Sequence, residues 1–201
     1  MLKKTALAFT VLLHPLFMPL AGILILLFSG SYVALLPLAA RKLIILLFVS
    51  GTLLLPALMI PLAYFRGDVL LQKQNERNIP LTLTLIFYLL TYFLFRKVPV
   101  YGFMHSFMLG ALVSVFMALV INLRWKISLH MIGLGGLTAF LLMITLTRQI
   151  NLFPWLLLSV LASGIAGTSR LYLEAHSPAQ IYSGFILGSL SMAASMFLYG
   201  A

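Results

Sequence analysis

A chain of 201 residues with 63% hydrophobic side chains, only 8% charged ones and a mean hydropathy of +1.14 excludes a soluble globular domain, in which roughly half the residues are apolar. Thirteen Lys and Arg against three carboxylates, Asp68, Glu76 and Glu174, give a net charge of +10. These cations stand at the ends of apolar runs, which points to lipid headgroups and not to nucleic acid, and the absence of cysteine excludes disulfides and thiolate metal sites.

The run that follows Lys3 and Lys4 is read as a first span over about 6–28. It is too long for a signal core, carries His14, Pro15 and Pro19, and shows no small-x-small cleavage pattern. Further spans are predicted over about 42–65, 80–95, 101–122, 130–147, 152–167 and 180–200, seven in all. Six is the other count, because the third and sixth runs are short. Continuous apolar runs without period-two alternation favour helices over a barrel. The expected fold class is therefore all-α, a polytopic membrane helix bundle forming one domain over 1–201. Gly133, Gly135 and Gly136 in the fifth span, and Gly184 and Gly188 in the seventh, suit close helix packing.

If the spans alternate in direction, the segments 66–79, 122–130 and 168–179 emerge on one face, together with the N-terminus. They carry Arg66, Asp68, Lys73, Glu76 and Arg77; then Arg124, Lys126, Ser128 and His130; then Ser169, Arg170, Glu174 and His176. Isolated cations at helix ends are ordinarily anchors at the membrane surface. Three segments that bring cations, hydroxyls and two histidines to one face are what an anion site needs. Guanidinium and ammonium groups would hold a phosphate, one imidazole would attack phosphorus and the other would protonate the leaving oxygen. His14 and His105 are expected to be interhelical hydrogen-bonding residues. The charges left for orientation balance, five on each face, so the positive-inside rule gives no direction.

Lys126-Ile-Ser128-Leu129-His130 and Ser169-Arg170-x5-His176 resemble the second and third signatures, PSGH and SR-x5-H-x3-D, of the type 2 phosphatidic acid phosphatase (lipid phosphatase/haloperoxidase) superfamily. Lys73-Gln-Asn-Glu-Arg77-Asn-Ile-Pro80 resembles its first signature, K-x6-RP, and the three blocks span 73–180 in the family's order. The whole is similar to small members of that superfamily from Bacteroidetes. The resemblance implies a six-helix core in the bacterial inner membrane and, without a cofactor, hydrolysis of a lipid phosphate or diphosphate. Phosphatidic acid, phosphatidylglycerol phosphate, an isoprenoid diphosphate and a lipid A phosphate are the candidate substrates. By position, His176 matches the nucleophile that becomes phosphohistidine and His130 the acid for the leaving group. Arg170, Lys73 and Arg77 match the phosphate-binding cations, and Ser128 and Ser169 the hydroxyl positions.

The family's aspartate falls at Gln180, whose carbonyl can accept the imidazole proton but brings no charge; Glu174, Asp68 and Glu76 are the carboxylates that could take its place. Leu129 stands where a glycine is usual, and Lys73 and Arg77 are four apart rather than seven. Three other readings stay open. They are a relative that binds or moves a phosphorylated lipid without hydrolysing it, an isoprenoid-binding transferase resting on 75–81, and a zinc site of His130, His176 and Glu174.

Overall fold

The computed structural model describes residues 2–58 and 77–199. Every regular element among them is helical: α1 Leu2–Leu12, α2 Phe17–Phe28, α3 Leu38–Ala57, α4 Asn78–Phe95, α5 Gly102–Asn122, α6 Leu129–Thr147, α7 Phe153–Tyr172 and α8 Pro178–Tyr199, with a short 3₁₀ turn at Tyr32–Leu35. Lys73 and the rest of the first motif before Arg77 lie outside the described residues, as does the end of the expected second span.

Five of these helices, α3, α4, α5, α6 and α8, are long and apolar enough to cross a membrane. The expected seven spans are corrected at two places. The first is not one helix: α1 and α2 are bent by 63° across His14-Pro15, and together they add at most a sixth span. Pro15 has no N–H for an i→i−4 bond and disfavours helical backbone at His14, so turn bonds such as Phe17 N–H to His14 C=O (3.0 Å) replace the helix there. The second is the expected sixth span. It forms α7, longer than anticipated, but this helix is not among the five, since Arg170 in its last turn and Ser159, Ser163 and Ser169 lower its hydropathy.

The bundle is organised around α6 and α8, which share the most extensive packing; α8 also lies on α5, α4 on α5, and α7 on α6, while α1 rests on α7. Glycines decide how close α6 and α8 come. A Cβ at Gly188 would collide with the Ile132 carbonyl and one at Gly135 with the Phe185 carbonyl. A Cβ at Gly184 would lie 2.7 Å from the Ser128 carbonyl. The backbones touch along this seam, so the start of α8 is placed directly over the start of α6.

The core is apolar and aromatic. Phe48, Phe95, Phe107 and Phe140 are fully buried, with ring centroids 5.2 Å apart for Phe48 and Phe95 and 4.1 Å for Phe107 and Phe140. Buried hydroxyls are satisfied inside their own helices: Thr52 donates to Phe48 C=O at 2.7 Å and Ser114 to Gly110 C=O at 2.8 Å. Leu46, Phe93, Leu161 and Phe197 face outward, an apolar exterior that lipid can cover.

Candidate functional site

The chain from Ser169 to Gln180 builds two helix ends back to back. At the end of α7, Ala175 N–H donates to Arg170 C=O (3.0 Å) and Glu174 N–H to Leu171 C=O (2.9 Å), the bond pair of a Schellman cap. Its left-handed position, φ 52°, is occupied by Glu174, where glycine is usual. The cap reverses the chain so that His176 turns inward, 7% exposed. Two residues on, α8 opens with Pro178 at its first position and a capping box around it: Gln180 N–H donates to Ser177 Oγ (3.4 Å), and Ser177 N–H donates to Gln180 Oε1 (3.2 Å).

The same Gln180 oxygen lies 3.0 Å from His176 Nδ1. Because a backbone N–H already donates to it, this atom is the amide oxygen, so Nδ1 carries the proton and donates. The neutral ring therefore keeps its lone pair on Nε2, and His176 lines a cavity between the helices. Burial, followed by the fields of Arg77, Arg170 and Lys126, pushes the His176 pKa down to about 3, although the Gln180 bond acts the other way. His176 is neutral at physiological pH.

Cations surround this ring. Arg77, at the head of α4, donates to Ile127 C=O at 3.4 Å, and its pKa is lowered to about 10 by burial and by Arg170. Lys126 is lowered by burial and by both arginines. The Nε of Arg170 is buried with no hydrogen-bond partner among the described residues, as is Ser128 Oγ. A buried donor without a partner costs roughly 1–3 kcal/mol, which an anion beside Arg170 would offset.

Of the residues singled out in the sequence, Arg77, His130, Arg170 and His176 line one cavity of about 410 Å³. Ser128 and Ser169 are buried beside it and do not line it. Ser128 has a structural bond instead, its N–H donating to Gln180 C=O at 3.3 Å and joining the second motif to the third. Glu174 is exposed and shapes the α7 cap; His176 is held by Gln180 and not by this carboxylate. No three His, Asp or Glu side chains among the described residues gather closely enough to hold a metal, so the zinc grouping of His130, His176 and Glu174 does not form.

No protein-family model, curated protein or solved structure matches this chain. The site's chemistry therefore stands on its own geometry.

That geometry includes a residue read only as a packing histidine. His14, in the break between α1 and α2, lines the cavity and meets His130 edge to face, ring centroids 5.4 Å apart. His130 Nε2 lies 3.0 Å from Thr10 C=O, so it donates to α1. The adjacent proline that breaks the helix was the available signal for His14, and the Ser-x-x-Gln spacing of Ser177 and Gln180 was the signal for the capping box. His105 does behave as expected, with Nε2 3.2 Å from both Phe95 C=O and Val98 C=O, tying α5 to the end of α4.

Proposed function

We propose that this protein is a membrane enzyme that hydrolyses a lipid phosphate or diphosphate without a metal cofactor, His176 acting as the nucleophile. The observation that carries the reading is the pairing of His176 Nδ1–H with Gln180 Oε1, which leaves a neutral Nε2 beside Arg77 and Arg170. The Nε2 lone pair forms the N–P bond as the P–O bond to the lipid breaks, and the leaving oxygen takes up a proton. Water then attacks the phosphohistidine, the N–P bond breaks, and phosphate departs. Arg77 and Arg170 hold the non-bridging oxygens and Lys126 adds its field, so charge developing at phosphorus meets fixed cations. The sequence resemblance to the lipid phosphatase superfamily assigns the same role to His176 and makes His130 the leaving-group acid; in that role the His130 bond to Thr10 must open.

A second reading, binding of a phosphorylated lipid without turnover, is favoured by that Thr10 bond and by the neutral partner at Gln180. One experiment separates the two. Purified protein is incubated with a panel of lipid phosphates and diphosphates in the presence of a chelator, and released phosphate is measured alongside mass spectrometry of the His176 peptide. Phosphate release and an acid-labile phosphoryl adduct on His176, both lost in His176→Ala, are the expected results. No release from any substrate, with equal lipid binding by wild type and His176→Ala, overturns hydrolysis.

A further inference from the structure

The cavity that holds the cations does not end with them. It continues into the bundle along two helical stripes. On α4 the stripe is Arg77, Leu81, Thr84 and Tyr88, and on α5, running the other way, it is Ala118, Ser114, Ala111 and Phe107. Spacings of three and four keep each set on one helix face. From its first residue to its last each stripe rises through 11 residue steps, so at 1.5 Å per step each gives a depth of about 16 Å. Two helices thus give the same depth, close to half of the roughly 30 Å hydrocarbon core of a bilayer, or one leaflet.

The walls of this arm are apolar. Its hydroxyls turn back on their own helices, Thr84 to Pro80 C=O (2.7 Å) and Ser114 to Gly110 C=O (2.8 Å), and small residues, Ala111, Gly133 and Gly136, keep it open. The floor is made of buried side chains. Tyr88, Phe107 and Met192 are at most 3% exposed, and Phe107 is locked between Phe140 and Gly22, where a Cβ would lie 2.6 Å from its ring. The volume, about 410 Å³, is near the low end of the roughly 300–1,000 Å³ usual for small-molecule sites, which leaves room for one chain and not two.

We infer that the site selects a single-chain phosphorylated amphiphile, whose chain enters the interhelical arm until it reaches Phe107 and whose phosphoryl group stays between Arg77 and Arg170. This deepens the lipid-phosphate reading and rests on it. A two-chain lipid would have to leave at least one chain outside the arm. Chains longer than a leaflet's depth gain nothing further from burial, because the aromatic floor stops them.

The test uses the full chain in detergent and a dodecyl phosphonate carrying a diazirine at the far end of its chain. Phosphonate cannot be hydrolysed by P–O cleavage, so the result does not depend on turnover. Photolysis is expected to label peptides containing Tyr88, Phe107 or Met192. The label is expected to be competed by unlabelled dodecyl phosphonate and lost in Val115→Trp, which fills the arm. A two-chain phosphatidate is expected to compete more weakly by about tenfold or more, and equal competition overturns single-chain selectivity. Adducts on outward residues such as Leu90 and Phe93, with Arg170-dependent binding retained, overturn the arm and leave the headgroup site standing. No Arg170-dependent binding at all overturns both. Labelling of the arm in a protein that releases no phosphate supports the arm while removing hydrolysis.

Discussion

The two ends of the bundle each hold a buried or half-buried histidine, and they put it to opposite uses. At one end, His105 Nε2 lies against two backbone carbonyls, Phe95 and Val98, and fastens α5 to the end of α4. At the other, His176 gives its Nδ1 proton to Gln180 and keeps Nε2 for the cavity. The residue type is the same, and so is its place next to a helix end. What differs is whether the ring nitrogen that could do chemistry is already occupied by the fold, and whether cations stand beside it.

The largest effect is expected at the cationic end. His176→Ala should lower phosphate release by about 10³-fold or more while lipid binding persists, whereas Arg170→Ala should lower both, measured by phosphate assay and lipid binding side by side. An intact rate in His176→Ala would erase the contrast between the two histidines.

The next effect concerns Gln180. Gln180→Glu keeps the capping box, because Glu serves at that position, and adds a charge beside Nδ1. Turnover should rise by about tenfold or more, and the acid limb of the pH–rate profile should move toward higher pH. In the native chain the neutral ring persists far below the ordinary 6.5, so the phosphorylation step should stay flat between about pH 7 and pH 5. Stability follows the same shift. Because the folded pKa is depressed, the unfolded chain binds the extra proton, and the His176 contribution present above about pH 6.5 is lost as pH falls toward about 3. Thermal unfolding across that window measures it; a midpoint that rises as pH falls would contradict the burial of a neutral ring.

Smaller effects probe structure alone. His105→Ala should destabilise the protein by about 1–2 kcal/mol through the two carbonyls it leaves without their donor, with no change in lipid turnover. Glu174→Gly should stabilise it by about 1 kcal/mol, since glycine adopts the left-handed φ of the α7 cap without strain, again with unchanged turnover. A large loss of activity in Glu174→Gly would mean that this exposed carboxylate serves the site after all.

Much of the arrangement was legible from residue order. Apolar run lengths located most of the helices to within a few residues, because a helix in lipid must satisfy its own backbone and so announces itself as an uninterrupted greasy stretch. Pro15 was visible in the first run, yet whether it would kink a span or end one depends on what packs there: α1 rests on α7, and a contact between helices so far apart in the chain leaves no local trace. Ser128 and Ser169 show the opposite limit. Their positions in the motifs suggested phosphate donors, but close packing of α6 against α8 buries Ser128 behind Gln180.

The sequence by itself determined the material: a helical, cation-rich chain with two histidines and two arginines near helix ends, and too few carboxylates among its 201 residues to balance them. Only the tertiary structure decided that cations stand beside His176, which histidine is tied to Thr10, and that the cationic site opens into an arm one leaflet deep. The His176 tautomer follows from a local bond to Gln180 four residues on, whereas the tie of His130 to Thr10 and the cavity itself come from contacts between segments far apart in the chain, which exist only once the helices have packed.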